Sequence, residues 1–173
     1  LAENQLHGKE FVSRNHRLEE FQKIKHEAGC SSELLNHPVN NYLCNDLIDD
    51  FEKSVNKIKP DKVYLPNPSY NQDHKAVYDA ALIALRPHDI NFFVKKVLLY
   101  EQPQDFWASG RPAFNPNYFV SIDINKKISL YQKMTSQVRG HRSTKHLETI
   151  AQLRGIQANT PCAEAFEILR WCE

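Results

Sequence analysis

Glycine and cysteine are scarce in this chain, long apolar runs are missing, and neither sign of charge dominates. Only 5 of the 173 residues are glycine. No Gly-x-Gly-x-x-Gly occurs, which counts against a plain nucleotide-binding Rossmann domain. The four cysteines, Cys30, Cys44, Cys162 and Cys172, form no Cys-x-x-Cys pair. Their spacing suggests neither a zinc ribbon nor a disulfide framework, and free, mostly buried thiols in a reducing, cytoplasmic compartment are expected. No apolar run is long enough to span a bilayer, and Leu1-Ala2-Glu3-Asn4-Gln5-Leu6-His7 has no signal-peptide character. A net charge of +1 gives no reason to expect nucleic acid or an acidic membrane surface as partner. An initiator methionine is also missing, so the chain is expected to begin inside a longer one.

What remains is the composition of an ordinary globular protein, 41% hydrophobic and 25% charged. At 173 residues it is long enough for one domain with a real core. The periodicity predicts a helix over His16–Ala28, with Leu18, Phe21, Ile24 and Lys25 on one stripe and Gly29 as its stop. A second amphipathic helix is predicted over Leu43–Lys57, ended by Lys59-Pro60, followed by a strand around Val63-Tyr64-Leu65. A further helix carries Val77, Ala80, Ala81, Ala84 and Leu85 and stops at Arg86-Pro87. Strands are predicted over Val94–Tyr100 and Phe119–Ile124, and helices over Lys126–Gln137, from an N-cap at Ser143 to Leu153, and over Ala163–Cys172. Arg154-Gly155 reads as the end of the Ser143 helix. Gln102–Tyr118 is irregular and rich in aromatics (Phe106, Trp107, Phe114, Tyr118), as expected for an ordered wall of a binding cleft. Helix, tight link, strand, loop and helix in succession predict an α/β fold with crossover connections and a parallel sheet.

The stretch Asn71-Gln72-Asp73-His74 falls where a strand ends and a helix begins, the position at which open α/β sheets bind ligands. His74 beside Asp73 there suits metal binding or proton transfer. The bland alternative is that Asp73 caps the helix and His74 lies on its surface. Arg17 and Glu20 share a helix face one turn apart, for which an exposed salt bridge is the simplest reading.

Several stretches, taken in order, resemble the N-acetylglucosaminyl deacetylase family known as LmbE-like or PIG-L. They are Arg17-x-x-Glu20 in a helix ending Ala28-Gly29, Lys59-Pro60-Asp61-x-Val63-Tyr64, and Asp73-His74 entering a helix that ends Arg86-Pro87. Then come Leu99-Tyr100-Glu101 with Trp107, Phe114-x-Pro116-Asn117-x-Phe119-Val120-x-Ile122, and Ser136-Gln137. His141-Arg142-Ser143, Arg154-Gly155 and Ala163-Glu164-Ala165-Phe166 close the series.

The resemblance implies a Rossmann-like three-layer α/β sandwich with a mostly parallel sheet. It also implies zinc-dependent removal of the N-acetyl group from an N-acetylglucosaminyl conjugate, a small amino-sugar substrate. In the family a His and an Asp of a His-Pro-Asp-Asp-Glu motif, with the second His of a later His-Pro-Asp-His motif, hold the metal. Carried over, His74 is the third zinc ligand and Asp73 a catalytic-site residue that orients it. Asn71 stands where the later motif has its first His, able to donate a hydrogen bond to an oxyanion but not a proton near neutral pH. Arg17 would face substrate or product acetate, with Glu20 positioning it. Glu101, His141 and Glu164 would contact the sugar or support its pocket, packing or capping being the alternative for the last two.

No His-Pro-Asp-Asp-Glu occurs in the sequence, and His37-Pro38 is followed by Val39-Asn40. The resemblance therefore implies a single deacetylase-like domain over 1–173 that lacks the first strand and two of the three ligands. One His does not hold a catalytic zinc, so the chain alone is expected to bind zinc weakly and hydrolyse nothing. A catalytically inactive carbohydrate-binding homologue is the rival reading. A homo-oligomer is left open.

Overall fold

Local signals place most of the helices. The computed structural model describes residues 4–6, 10–103 and 114–173. Trp107 and Phe106, the heart of the expected aromatic wall, lie outside the described residues. In chain order the elements are β1 (Asn4–Leu6), β2 (Glu10–Val12), α1 (Arg14–Ala28), α2 (Cys44–Ile58), β3 (Lys62–Pro66) and α3 (Gln72–Ala84). Then follow β4 (Lys96–Tyr100), β5 (Tyr118–Ser121), α4 (Ile124–Gln132), α5 (Thr144–Ala158) and β6 (Ala163–Trp171).

Helix α1 starts at Ser13, whose hydroxyl accepts from His16 N–H, and stops at Gly29 in the left-handed region with φ 64°. The other caps are Asn71 for α3, Asp123 for α4 and Ser143 for α5. The expectation that Asp73 caps α3 is therefore corrected. Asn71 Oδ1 accepts from the N–H groups of Asp73 (2.9 Å) and His74 (3.2 Å), which leaves the Asp73 carboxylate for other partners.

Two compact units are distinguished by their internal contacts, one formed by Leu1–Asn36 with Val120–Glu164 and the other by His37–Phe119 with Ala165–Glu173. In the first, β1 pairs antiparallel with β2, and α4 packs against both α1 and α5. In the second, α2 and α3 pack together beside β3 and β4. Val55, Leu65, Ala81, Leu85, Val94, Val97 and Leu99 make its core, with Phe51, Val63, Tyr78 and Phe114 against it. At about 2 kcal/mol for each fully buried aliphatic side chain, this cluster is the main source of that unit's stability.

The four-stranded sheet has the order β3-β4-β6-β5. Strand β3 runs parallel to β4, with Val63 opposite Val97 and Pro66 opposite Tyr100, whereas β6 runs antiparallel to β4. The sheet is mixed, not mostly parallel as expected. The reason is the last element. Ala163–Cys172 has the composition expected of a helix, since Ala, Glu, Leu and Arg favour one, but it forms strand β6.

Pairing with β4 overrides local preference here. The register skips one residue between Val97↔Arg170 and Leu98↔Ile168, so Leu169 is bulged and the alternation a strand normally shows in sequence is broken. Arg170 locks the arrangement by donating to the carbonyls of Val94 (2.9 Å) and Leu85 (2.8 Å), the latter at the end of α3.

Two boundaries also differ from expectation. Helix α5 continues through Arg154-Gly155 to Asn159, which takes the left-handed cap that the sequence pattern assigns to Gly155. The end of the expected Phe119–Ile124 strand instead caps and opens α4.

Candidate functional site

In the second unit the chain leaves β3 through Asn67-Pro68-Ser69-Tyr70 and enters α3. Asn67 is fully buried; its N–H donates to Tyr100 O (3.1 Å), and Gln102 Nε2 donates to Asn67 O (3.0 Å). These bonds tie together the carboxyl ends of two parallel neighbours. Glu101 and the loop leading to His74 consequently stand at the same end of the sheet. His74 occupies the first turn of α3, half-buried, with Nδ1 3.0 Å from Ser69 Oγ, which also accepts from Asn71 N–H. In the tautomer whose Nδ1–H is donated to Ser69, the basic lone pair is on Nε2.

Asp73 is buried and turned away along the chain. Its Oδ2 accepts from Asn40 N–H (2.6 Å) and its Oδ1 from Tyr42 N–H (3.3 Å). Asn40 sits at φ 63°, an unusual conformation for a residue with a side chain, and the carboxylate holds the turn around it. Burial first, and then the charge of Asp73, push the Tyr42 hydroxyl above its ordinary pKa. Replacing Asp73 by alanine should remove two part-buried bonds from backbone amides to a charged acceptor and cost about 2–3 kcal/mol. Chemical denaturation measures the loss, and amide exchange at Asn40 and Tyr42 should accelerate with it. Unchanged exchange at both amides would show that the clasp is not what holds the turn.

In the first unit, Glu20 is 4% exposed on α1. Its carboxylate accepts from Thr135 Oγ1 (2.6 Å), Ser136 N–H (2.7 Å) and Ser136 Oγ (2.5 Å). His16 Nε2 lies 3.2 Å away. Burial alone would raise this carboxyl's pKa, but the hydrogen bonds from Ser136 and Thr135, with the charge of His16, together hold it below the ordinary value.

Arg17, one turn back, faces Glu20 only as a charge. Burial first, and then repulsion from Arg139, lower its pKa, with Glu20 acting in the opposite direction. Arg142 is lowered by the same two causes. The turn that carries Arg139 and Arg142 is closed by Arg142 N–H donating to Arg139 O (3.0 Å), and Tyr131 donates its hydroxyl to Arg142 O (2.8 Å).

His141, at the tip of that turn, is exposed. Glu164 is in a surface ion pair with Lys127 at 2.7 Å, an interaction worth little in stability. The residues named from sequence thus fall into two groups: Asn71, Asp73, His74 and Glu101 at the sheet end of the second unit, and Arg17, Glu20, His141 and Glu164 in the first. Thr135 and Arg139 were missed. Their only signal was a polar turn, Arg-Gly-His-Arg, beside Ser136.

Among the described residues no three His, Cys, Asp or Glu side chains gather in a way that would hold a metal ion. Among the described residues, likewise, no helix is long and apolar enough to cross a membrane.

No family model matches the chain, and no curated protein matches it in sequence. Solved structures share its fold. The conserved protein TT1542 from Thermus thermophilus superposes with a TM-score of 0.75 at 17% identity, over 94% of this chain and 76% of that one. The N,N'-diacetylchitobiose deacetylase from Pyrococcus horikoshii superposes with a TM-score of 0.73 at 20% identity, over 90% of this chain and 64% of that one. The chain therefore shares the α/β fold of these two structures and spans about two thirds of the second one's length.

Proposed function

We propose that this chain serves in hydrolysis of the N-acetyl group of an N-acetylglucosaminyl conjugate, with His74 as the residue on which the chemistry depends. The observation that carries the proposal is the placement of His74. Its ring is oriented by Ser69, at the carboxyl end of a parallel strand, in a chain with a deacetylase fold. Glu101 at the neighbouring strand end is the proposed sugar contact.

Zinc belongs to the proposal only as far as His74. A catalytic zinc takes three protein ligands and an open position, and the described residues do not supply three. The donor set of the described residues does not fit a zinc site. The residues present have narrower tasks. Ser69 fixes the imidazole ring, Asn71 caps α3 so that His74 stays in its first turn, and Asp73 braces the adjoining loop.

That the described residues gather no three such ligands is compatible with a second reading, a carbohydrate-binding homologue that catalyses nothing. Acetate release from N,N'-diacetylchitobiose and binding of that sugar, measured for wild type and His74→Ala, separate the two. The hydrolase reading expects acetate release from wild type that falls at least tenfold in His74→Ala, since a positioned catalytic group contributes on the order of 10²–10⁴ in rate. Sugar binding without acetate release in wild type would leave the binding homologue. Acetate release undiminished in His74→Ala would refute the role of that residue.

A further inference from the structure

Three guanidinium groups of the first unit, near enough for the charge of Arg139 to act on both Arg17 and Arg142, have buried donor atoms without partners. Arg17 comes from the start of α1, and Arg139 and Arg142 from the tight turn 139–142 after α4. Arg17 Nε and Nη2, Arg139 Nε and Arg142 Nε are buried without any hydrogen-bond partner. Both Arg17 and Arg142 feel the positive charge of Arg139. The nearby Glu20 carboxylate offers little relief, because Thr135 and Ser136 already occupy its oxygens. The three guanidiniums against the Glu20 carboxylate leave an excess of at least two positive charges.

Like charges held together with unpaired buried donor atoms are costly even where, as here, each side chain is only half-buried, and proteins pair or neutralise them. Guanidinium stays charged at any ordinary pH, so neutralisation by proton loss is not open to these groups. An anion is the remaining answer. Its required features follow from the donors. They approach from a helix and from a separate turn, so one planar carboxylate does not meet all three forks, whereas a tetrahedral group with three or four oxygens does. An excess of two charges matches a dianion.

We propose that Arg17, Arg139 and Arg142 form a binding site for a dianionic phosphate group, either inorganic phosphate or a phosphate monoester. The turn is prepared for it. Arg139 and Arg142 are held by the backbone bond between them, and Tyr131 clamps Arg142 O from α4. The site needs no residue of the His74 region, and it stands whether or not the chain is a deacetylase.

Calorimetric titration of the full chain in a phosphate-free buffer tests it, with inorganic phosphate, glycerol 2-phosphate and acetate compared at equal ionic strength. One saturable site for phosphate, at least tenfold tighter than for acetate, is expected. Comparable binding of glycerol 2-phosphate identifies an esterified ligand, and binding of inorganic phosphate alone identifies the free ion. Arg139→Gln should weaken phosphate at least tenfold, and Arg139→Lys, which keeps the charge but not the fork, should weaken it less.

In phosphate-free buffer Arg139→Gln should melt no lower than wild type, because the charge removed is a repelled one. No saturable phosphate binding by wild type would overturn the site, as would acetate binding equally well. A folded Arg139→Gln that keeps full phosphate affinity, or that melts well below wild type without phosphate, would also overturn it. If that variant does not fold, Arg142→Gln is read by the same criteria.

Discussion

Glu20→Ala is expected to destabilise the protein by about 4 kcal/mol, in the range found when one partner of a buried charged network is removed. The carboxylate is the common acceptor for the Thr135 hydroxyl, the Ser136 hydroxyl and the Ser136 N–H. Charge-assisted bonds of this kind contribute about 1.5–3 kcal/mol each, and their donors would be left unpaired where Ser136 is buried. A second loss adds to the first. Glu20 is the acidic group whose charge acts on Arg17, so its removal leaves the three guanidiniums with less to offset their repulsion.

For a chain of this length the expected drop in melting temperature is about 8–16 °C, at about 2–4 °C per kcal/mol. Glu20→Gln keeps an acceptor oxygen and should lose roughly half as much. The pH dependence gives an independent reading. The unfolded carboxyl titrates near 4.5 and the folded one lower. The contribution of Glu20 is therefore complete above about pH 4.5 and is lost as pH falls below that, through the folded value. Wild type should show that acid limb in urea denaturation and Glu20→Ala should not. Parallel pH curves for the two proteins would mean that the carboxylate is not ionised in this network.

Gly155→Ala is expected to cost about 2 kcal/mol net, although alanine is the better helix former. A Cβ built at Gly155 would lie 2.5 Å from Thr160 O and 2.7 Å from Pro161 O. Both are backbone atoms, so neither can rotate away. Two effects of opposite sign compete. Helix propensity favours alanine by about 1 kcal/mol, while overpacking against rigid neighbours costs about 3 kcal/mol.

The steric effect wins because Thr160-Pro161 leads directly into β6 at Ala163, and moving it displaces the strand's start. Thermal unfolding should fall by about 4–8 °C. A rise instead would show that α5 and the 160–161 backbone are not in close contact. The same crowding explains why a glycine inside a helix does not end it here: it is needed for the approach of the following segment, not for a left-handed turn.

What the sequence determined by itself about this protein was what neighbours along the chain decide. Ser13, Gly29 and Ser143 act as caps through bonds between residues three or four apart, and Gly29 and Ser143 were legible as such. The placement of His74, just past a strand and in the first turn of a helix, followed from the change of apolar period across Asn71. The ordered motifs pointed to a deacetylase-like α/β fold, and the chain shares its α/β fold with a solved N,N'-diacetylchitobiose deacetylase at 20% identity.

The tertiary structure decided the rest. Ala163–Trp171 has the composition of a helix and becomes a strand because β4 offers it a ladder that no local pattern encodes, with a bulge at Leu169 hiding the alternation. Glu20 looked like the partner of Arg17, three residues away, yet it bonds to Ser136, 116 residues away. That choice leaves Arg17 beside Arg139 and Arg142 with buried donors and no acceptor. Local sequence fixes which groups can bond. Only the folded chain, by bringing distant groups within about 3 Å and shutting water out, determines which of them do.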